Sequence, residues 1–131
     1  MTMIEHFVKF KPLSLEYEIL SVTIADTEAL LNFLYKEIGC SSIETVFFSK
    51  QSGDLMIVDE EGLFKEPLQV NLIGTALYPA GIVGTVILGK EGQRDGELDL
   101  VGYPSILEAT AAAGAAKTLA EMKYGNYLKS L

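Results

Sequence analysis

A chain of 131 residues, 49% of them hydrophobic, has room for one core, and this reading places a single domain over residues 1–131. Its 18 acidic and 10 basic residues, a formal net charge of -8, argue against a direct nucleic-acid binder, which would present a basic patch. One cysteine, Cys40, and one histidine, His6, exclude an internal disulfide and a cysteine zinc cluster; no cofactor or metal is expected. No basic amino-terminal region leads into an apolar signal segment, so a cytoplasmic location is the default expectation.

Residues 1–12 read as an edge strand around Phe7, Val8 and Phe10, or as a flexible start, interrupted at Pro12. Tyr17 to Ile24 is a better strand, rich in β-branched residues. Asp26 then stands where it can cap a helix over about 27–38, whose apolar stripe is Leu30, Phe33, Leu34 and Ile38 and which Gly39 ends. Residues 42–59 form a hairpin, with its turn around Gln51 to Asp54, and a charged loop follows at Asp59-Glu60-Glu61-Gly62.

The stretch from Pro67 to Gly89 is uncharged and long enough to cross a membrane, which takes about 20 apolar residues. Its glycines, Pro79 and β-branched residues favour strands instead. The pattern predicts a second hairpin, 70–78 with 82–89, turning at Tyr78-Pro79-Ala80-Gly81; since neither face of its second strand carries charge, both are at least partly covered or one lies inside an oligomer. A solvated turn over 90–97 and a short strand at 98–101 come next.

Ser105 and Glu108 have capping-box spacing, and a helix over about 106–123 follows. Its expected stripe is Leu107, Ala111, Ala115, Leu119 and Met122. Ala111, Gly114 and Ala115 make the close-packing face against the sheet, with Gly84 admitting the helix. Gly125 and Asn126 should stop it, leaving 125–131 as a short tail. The fold class is α+β: a mostly antiparallel sheet of four to six strands with two helices, at 27–38 and 106–123.

The glycines around 74–84 make no phosphate loop, because no Gly-x-x-x-x-Gly-Lys-Ser/Thr sequence is present. His6 lacks a local partner, and Cys40 reads as a small apolar residue. The acidic loops at 59–66 and 91–99 would make a ligand or partner surface if they met. Asp59, Glu61 and Asp95 are its carboxylates, and Tyr78 and Tyr103, each beside a proline, its exposed aromatics.

The run Gly53 to Gly62, followed by Pro67-Leu68, Asn71, Gly74-Thr75-Ala76 and Ile82 to Val86, resembles an uncharacterised domain family of small bacterial phage, plasmid and mobile-element proteins, over about residues 42–100. Leu72 stands where such proteins often carry a basic residue, and the alanine-rich carboxyl-terminal helix departs from their charged extension. The resemblance implies mobile-element origin but carries over no active residue, substrate or cofactor. The expectation is a non-enzymatic accessory or binding protein, self-associating as a homodimer and open to a further protein partner. The alternative is a small-ligand enzyme or sensor built on the two acidic loops.

Overall fold

The computed structural model describes residues 4–49, 53–78, 81–94 and 96–129. In chain order it runs β1 (Ile4–Phe10), β2 (Tyr17–Thr23), α1 (Thr27–Ile38), β3 (Ile43–Ser49), β4 (Asp54–Asp59), a 3-10 turn at Gly62–Phe64, α2 (Leu72–Leu77), β5 (Val86–Arg94), β6 (Glu97–Val101) and α3 (Ile106–Lys129). The strands form one six-stranded antiparallel sheet in the order β2-β1-β5-β4-β3, with β6 also paired to β5. The α+β class and the antiparallel sheet agree with the sequence, and α2 adds a third helix.

Strand alternation sends Val8, Phe10, Met56, Val58, Val86 and Leu88 to one face, where α2 and α3 cover them. Phe7, Leu55, Ile57, Ile87 and Leu100 go to the other, beneath Leu30, Leu34 and Ile38 of α1. α1 keeps its expected bounds because both ends are chemically marked. Asp26 accepts the Ala29 N–H at 2.8 Å, and Gly39 takes φ +77° and donates its N–H to Tyr35.

Several expectations give way. β1 is not an edge strand, because β2 and β5 flank it. Its amino-terminal half splays from β5 and meets Tyr103 instead, His6 and Tyr103 exchanging backbone bonds of 3.0 and 2.7 Å. Gly102 makes that fork feasible: a Cβ there would lie 2.7 Å from the His6 nitrogen.

The hairpin over 70–89 does not form. Asn71 instead caps α2, its side-chain oxygen accepting the Gly74 N–H at 2.8 Å. Its amide group donates to Phe10 and Gly84 carbonyls at 2.9 and 2.8 Å, so the fully buried Asn71 ties together three segments. Thr75 Oγ1 serves both backbone groups of Ile82, replacing a strand partner. A single bridge, Val70 to Val83, remains of the expected pairing. A Cβ on Gly84 would meet none of the described residues, so no helix approaches it closely; it turns the chain into β5 at φ +81°. The stretch from Lys90 to Arg94, expected as a turn, is the second half of β5 and pairs with β6.

α3 continues through Gly125 and Asn126 to Lys129, since Tyr124 still packs against the core and docking outweighs weak helix formers. Its packing face is also rotated. Ala109, Ala113, Ala116 and Ala120 are buried, while Ala111 and Ala115 are exposed and Gly114 faces open space. The helix is apolar on two faces, and the tighter contact goes to the one with methyl groups alone. Lys123 reaches across to the Ala76 carbonyl at 3.0 Å, joining α3 to the end of α2.

Candidate functional site

The two acidic loops do not meet. Ile57 pairs with Ile87, and Asp59 lies two residues further along β4; Asp99 pairs with Gly92 on the far half of β5. About seven strand residues separate them, roughly 23 Å at the usual rise. Among the described residues no group of three or more His, Cys, Asp or Glu could hold a metal ion. Asp95 lies outside the described residues.

At the β6 end the polar groups are engaged with one another. Arg94 makes a two-pronged bond to Glu5, at 2.9 and 2.7 Å, donates to the Leu100 carbonyl and lies 3.5 Å from Asp99. Glu5 also accepts the Gly102 N–H at 2.9 Å, and Asp99 accepts the Thr27 hydroxyl at 3.3 Å. Tyr103, expected on the surface, is buried and donates to Asp54 at 2.5 Å. Burial first, and the carboxylate bond second, hold its phenol well above the usual tyrosine range. His6 is likewise buried, with Nδ1 2.7 Å from the Ser21 hydroxyl. Burial pushes the Cys40 thiol up, away from the thiolate that reactive cysteines need.

At the opposite end of β4 the arrangement is open. A groove of about 220 Å³ has Val46, Val58, Ile82 and Val83 as its apolar wall and floor, Glu44, Asp59 and Glu60 as acidic groups, and Leu63 and Tyr78 at its flanks. The structure thus brings together Asp59 and Tyr78 of the residues singled out in the sequence. Glu61 stands beside them, exposed, with its N–H on Asp59 at 2.9 Å. Asp59 is also paired with Lys65 at 2.5 Å, which raises the lysine's pKa. Glu60 accepts the Ser42 hydroxyl.

The surface around the groove is apolar in a way composition did not reveal. Phe64 is 86% exposed and Leu63 67%, both held outward by the 3-10 turn that follows Asp59. Gly62 sits beneath that turn because a Cβ would come 2.9 Å from Val83. Glu44 and Val46 were legible as one face of β3 by alternation, but nothing local marked that face as a groove wall.

On the other face of the sheet lies a second hollow of about 410 Å³, between α1 and the outer strands. Leu30, Leu31, Leu34, Ile43, Leu55 and Ile57 line it, with Glu91 and Asp99 at one end. No described helix is long and apolar enough to cross a membrane. No family model, curated protein or solved structure matches the chain.

Proposed function

We propose that this chain is a non-enzymatic accessory protein of mobile-element origin, acting in the cytoplasm, that binds a protein partner through the groove between β3, β4 and the segment after α2. One observation carries the reading: an apolar groove with exposed Glu44 and Glu60 at its rim is flanked by exposed Leu63 and Tyr78, with Phe64 exposed on the adjoining 3-10 turn. The groups with chemical potential, Arg94, Tyr103 and His6, are engaged inside the fold. The test is a photo-crosslinking residue at Leu63 in cells of the source organism, with exposed Asn32 on α1 as the control site. A discrete adduct at Leu63, lost when Tyr78→Ala is added, is expected. Adducts of equal yield from both sites would defeat the reading.

Self-association belongs to the outer face of α3. Leu107 is 80% exposed and Met122 78%, and exposed Ala111 and Ala115 continue the same uncharged stripe. The expected homodimer should become a monomer in light scattering when Leu107→Glu and Met122→Glu are combined; an unchanged dimer would move the interface elsewhere.

A second reading, a small-ligand binder, is favoured by the α1-side hollow, whose size lies in the usual ligand range. Saturable binding of a small apolar amine there, abolished by Leu31→Glu, would select it over the first.

A further inference from the structure

The sheet edge beside the groove determines how a partner can be held. β3 closes the strand order and, among the described residues, pairs only with β4. Glu60 donates its N–H to the Ser42 carbonyl at 3.1 Å. In an antiparallel ladder that bond makes Glu44–Val58 and Val46–Met56 the inward hydrogen-bonded pairs. The N–H and C=O groups of Ile43 and Thr45 therefore point away from β4, along the outer edge.

The side chains of the same four residues alternate between two hollows. Glu44 and Val46 line the acidic groove, and Ile43 and Thr45 line the cleft under α1. Each face of this edge thus opens onto an apolar depression. Exposed edges are commonly blunted by lysine, proline or a bulge. Residues 43–46 carry neither lysine nor proline, and the register shift comes later, between Phe47 and Ser49.

We propose that β3 accepts an extended basic segment of a partner protein as an additional strand. This rests on the groove being the binding site and specifies what it takes. The segment pairs its backbone with Ile43 and Thr45. Its lysine or arginine side chains lie over Glu44 and Glu60, and its alternate, apolar side chains enter the cleft under α1. Charge selects this occupant over a second copy. The chain's own edge, Ile43-Glu44-Thr45-Val46, would bring Glu44 onto an acidic rim, and each copy carries a net charge of -8.

The experiment titrates the full chain with a peptide of about nine alternating lysines and valines, the length of an ordinary strand. Three companions accompany it: a glutamate–valine version, a version with lysines and valines in separate blocks, and the alternating peptide N-methylated at every second backbone amide. NMR follows binding and the hydrogen exchange of the Ile43 and Thr45 amides. The alternating basic peptide should bind saturably and protect both amides, and its companions should not. Glu44→Lys should weaken it about fivefold. Thr45→Pro, which removes an outward donor while the inward ladder stays intact, should abolish protection, with circular dichroism checking the fold.

No saturable binding up to millimolar peptide overturns the proposal, as does equal binding of the block peptide. If the N-methylated peptide binds as well as the parent, strand addition falls while the groove reading stands. If no peptide binds and the Leu63 crosslink is also missing, both fall. A dimer converted to monomer by Thr45→Pro would show a second copy on this edge and would also overturn the proposal.

Discussion

The two ends of the β4–β5 region hold acidic residues in opposite ways. Around Arg94, Glu5 and Asp99 face a guanidinium and backbone amides, and the side chains there are 9–25% exposed. Around β3 and the end of β4, Asp59 is likewise engaged, its side chain 8% exposed and paired with Lys65, whereas Glu44 and Glu60 stand exposed at an apolar hollow. Glu5 and Asp99 are thus structural, whereas Glu44 and Glu60 are exposed and carry no ion pair among the described residues, and the local partners decide which. Net charge does not distinguish them.

The largest expected effect comes from breaking the closed end. Arg94→Met leaves the Glu5 carboxylate largely buried without its guanidinium, which costs about 3–5 kcal/mol. Urea unfolding would show it. Adding Glu5→Leu should recover most of the loss, because an apolar pair of similar volume is often no worse than a buried ion pair. A loss under about 1 kcal/mol for Arg94→Met would mean that this network does not hold β1, β5 and β6 together.

The same contrast between a filled and an open face recurs on α3. Ala113→Leu must push a larger side chain into the contact with the sheet and α2, a cost of about 1–3 kcal/mol. Ala115→Leu, on the exposed face, should stay within about 0.5 kcal/mol. Thermal melts of both, made in the Leu107→Glu, Met122→Glu background so that self-association through the outer face does not contribute, would test the helix orientation. Equal losses would show that the outer face is packed within the single chain.

How much of this was legible follows from where each signal resides. α1 could be read to the residue because Asp26 and Gly39 act on neighbouring backbone. The β3–β4 hairpin was also local. The region from Val70 to Arg94 failed because its outcome depends on distant groups. Asn71 reaches the Phe10 carbonyl, and Thr75 occupies Ile82, so an apolar run that reads as strand becomes a short capped helix. On α3 periodicity picks the stripe from Leu107 to Met122, which carries the larger apolar side chains, whereas the tightness of the sheet contact selects the face of Ala109, Ala113, Ala116 and Ala120. For the site, Asp59 and Tyr78 were visible as types, but the groove between them needed the chain to return from Ile82. Tyr103 was misread because proline beside an aromatic suggests a surface turn, whereas the fork at Gly102 carries the ring inward.

That buried ring gives the closed end a pH signature. Tyr103 titrates above its usual value near 10 in the folded state, from burial and then from Asp54. A raised acid favours the neutral form on folding, so its contribution is fully present below about pH 10 and is lost as pH rises toward the folded value. Denaturation midpoints measured from pH 8 upward should fall above about pH 10 more steeply than in Tyr103→Phe. Parallel curves would mean that the ring is not sealed from solvent.

The smallest effect belongs to the open end, and its smallness is informative. Glu44→Gln and Glu60→Gln keep side-chain acceptors, including the one Ser42 uses, while removing like charges that stand close together. Stability should change by no more than about 0.5 kcal/mol, toward stabilisation, because exposed groups contribute little and relieved repulsion is favourable. Since such repulsion is screened, the gain should fade as salt rises toward about 1 M, where the Debye length is near 3 Å. Urea midpoints at low and high salt would read both effects. A destabilisation comparable to Arg94→Met would place these carboxylates in the framework and remove the distinction between the two ends. A small, salt-sensitive gain would mean that the fold tolerates clustered negative charge at this edge without needing it, as expected if a basic partner offsets that charge on binding.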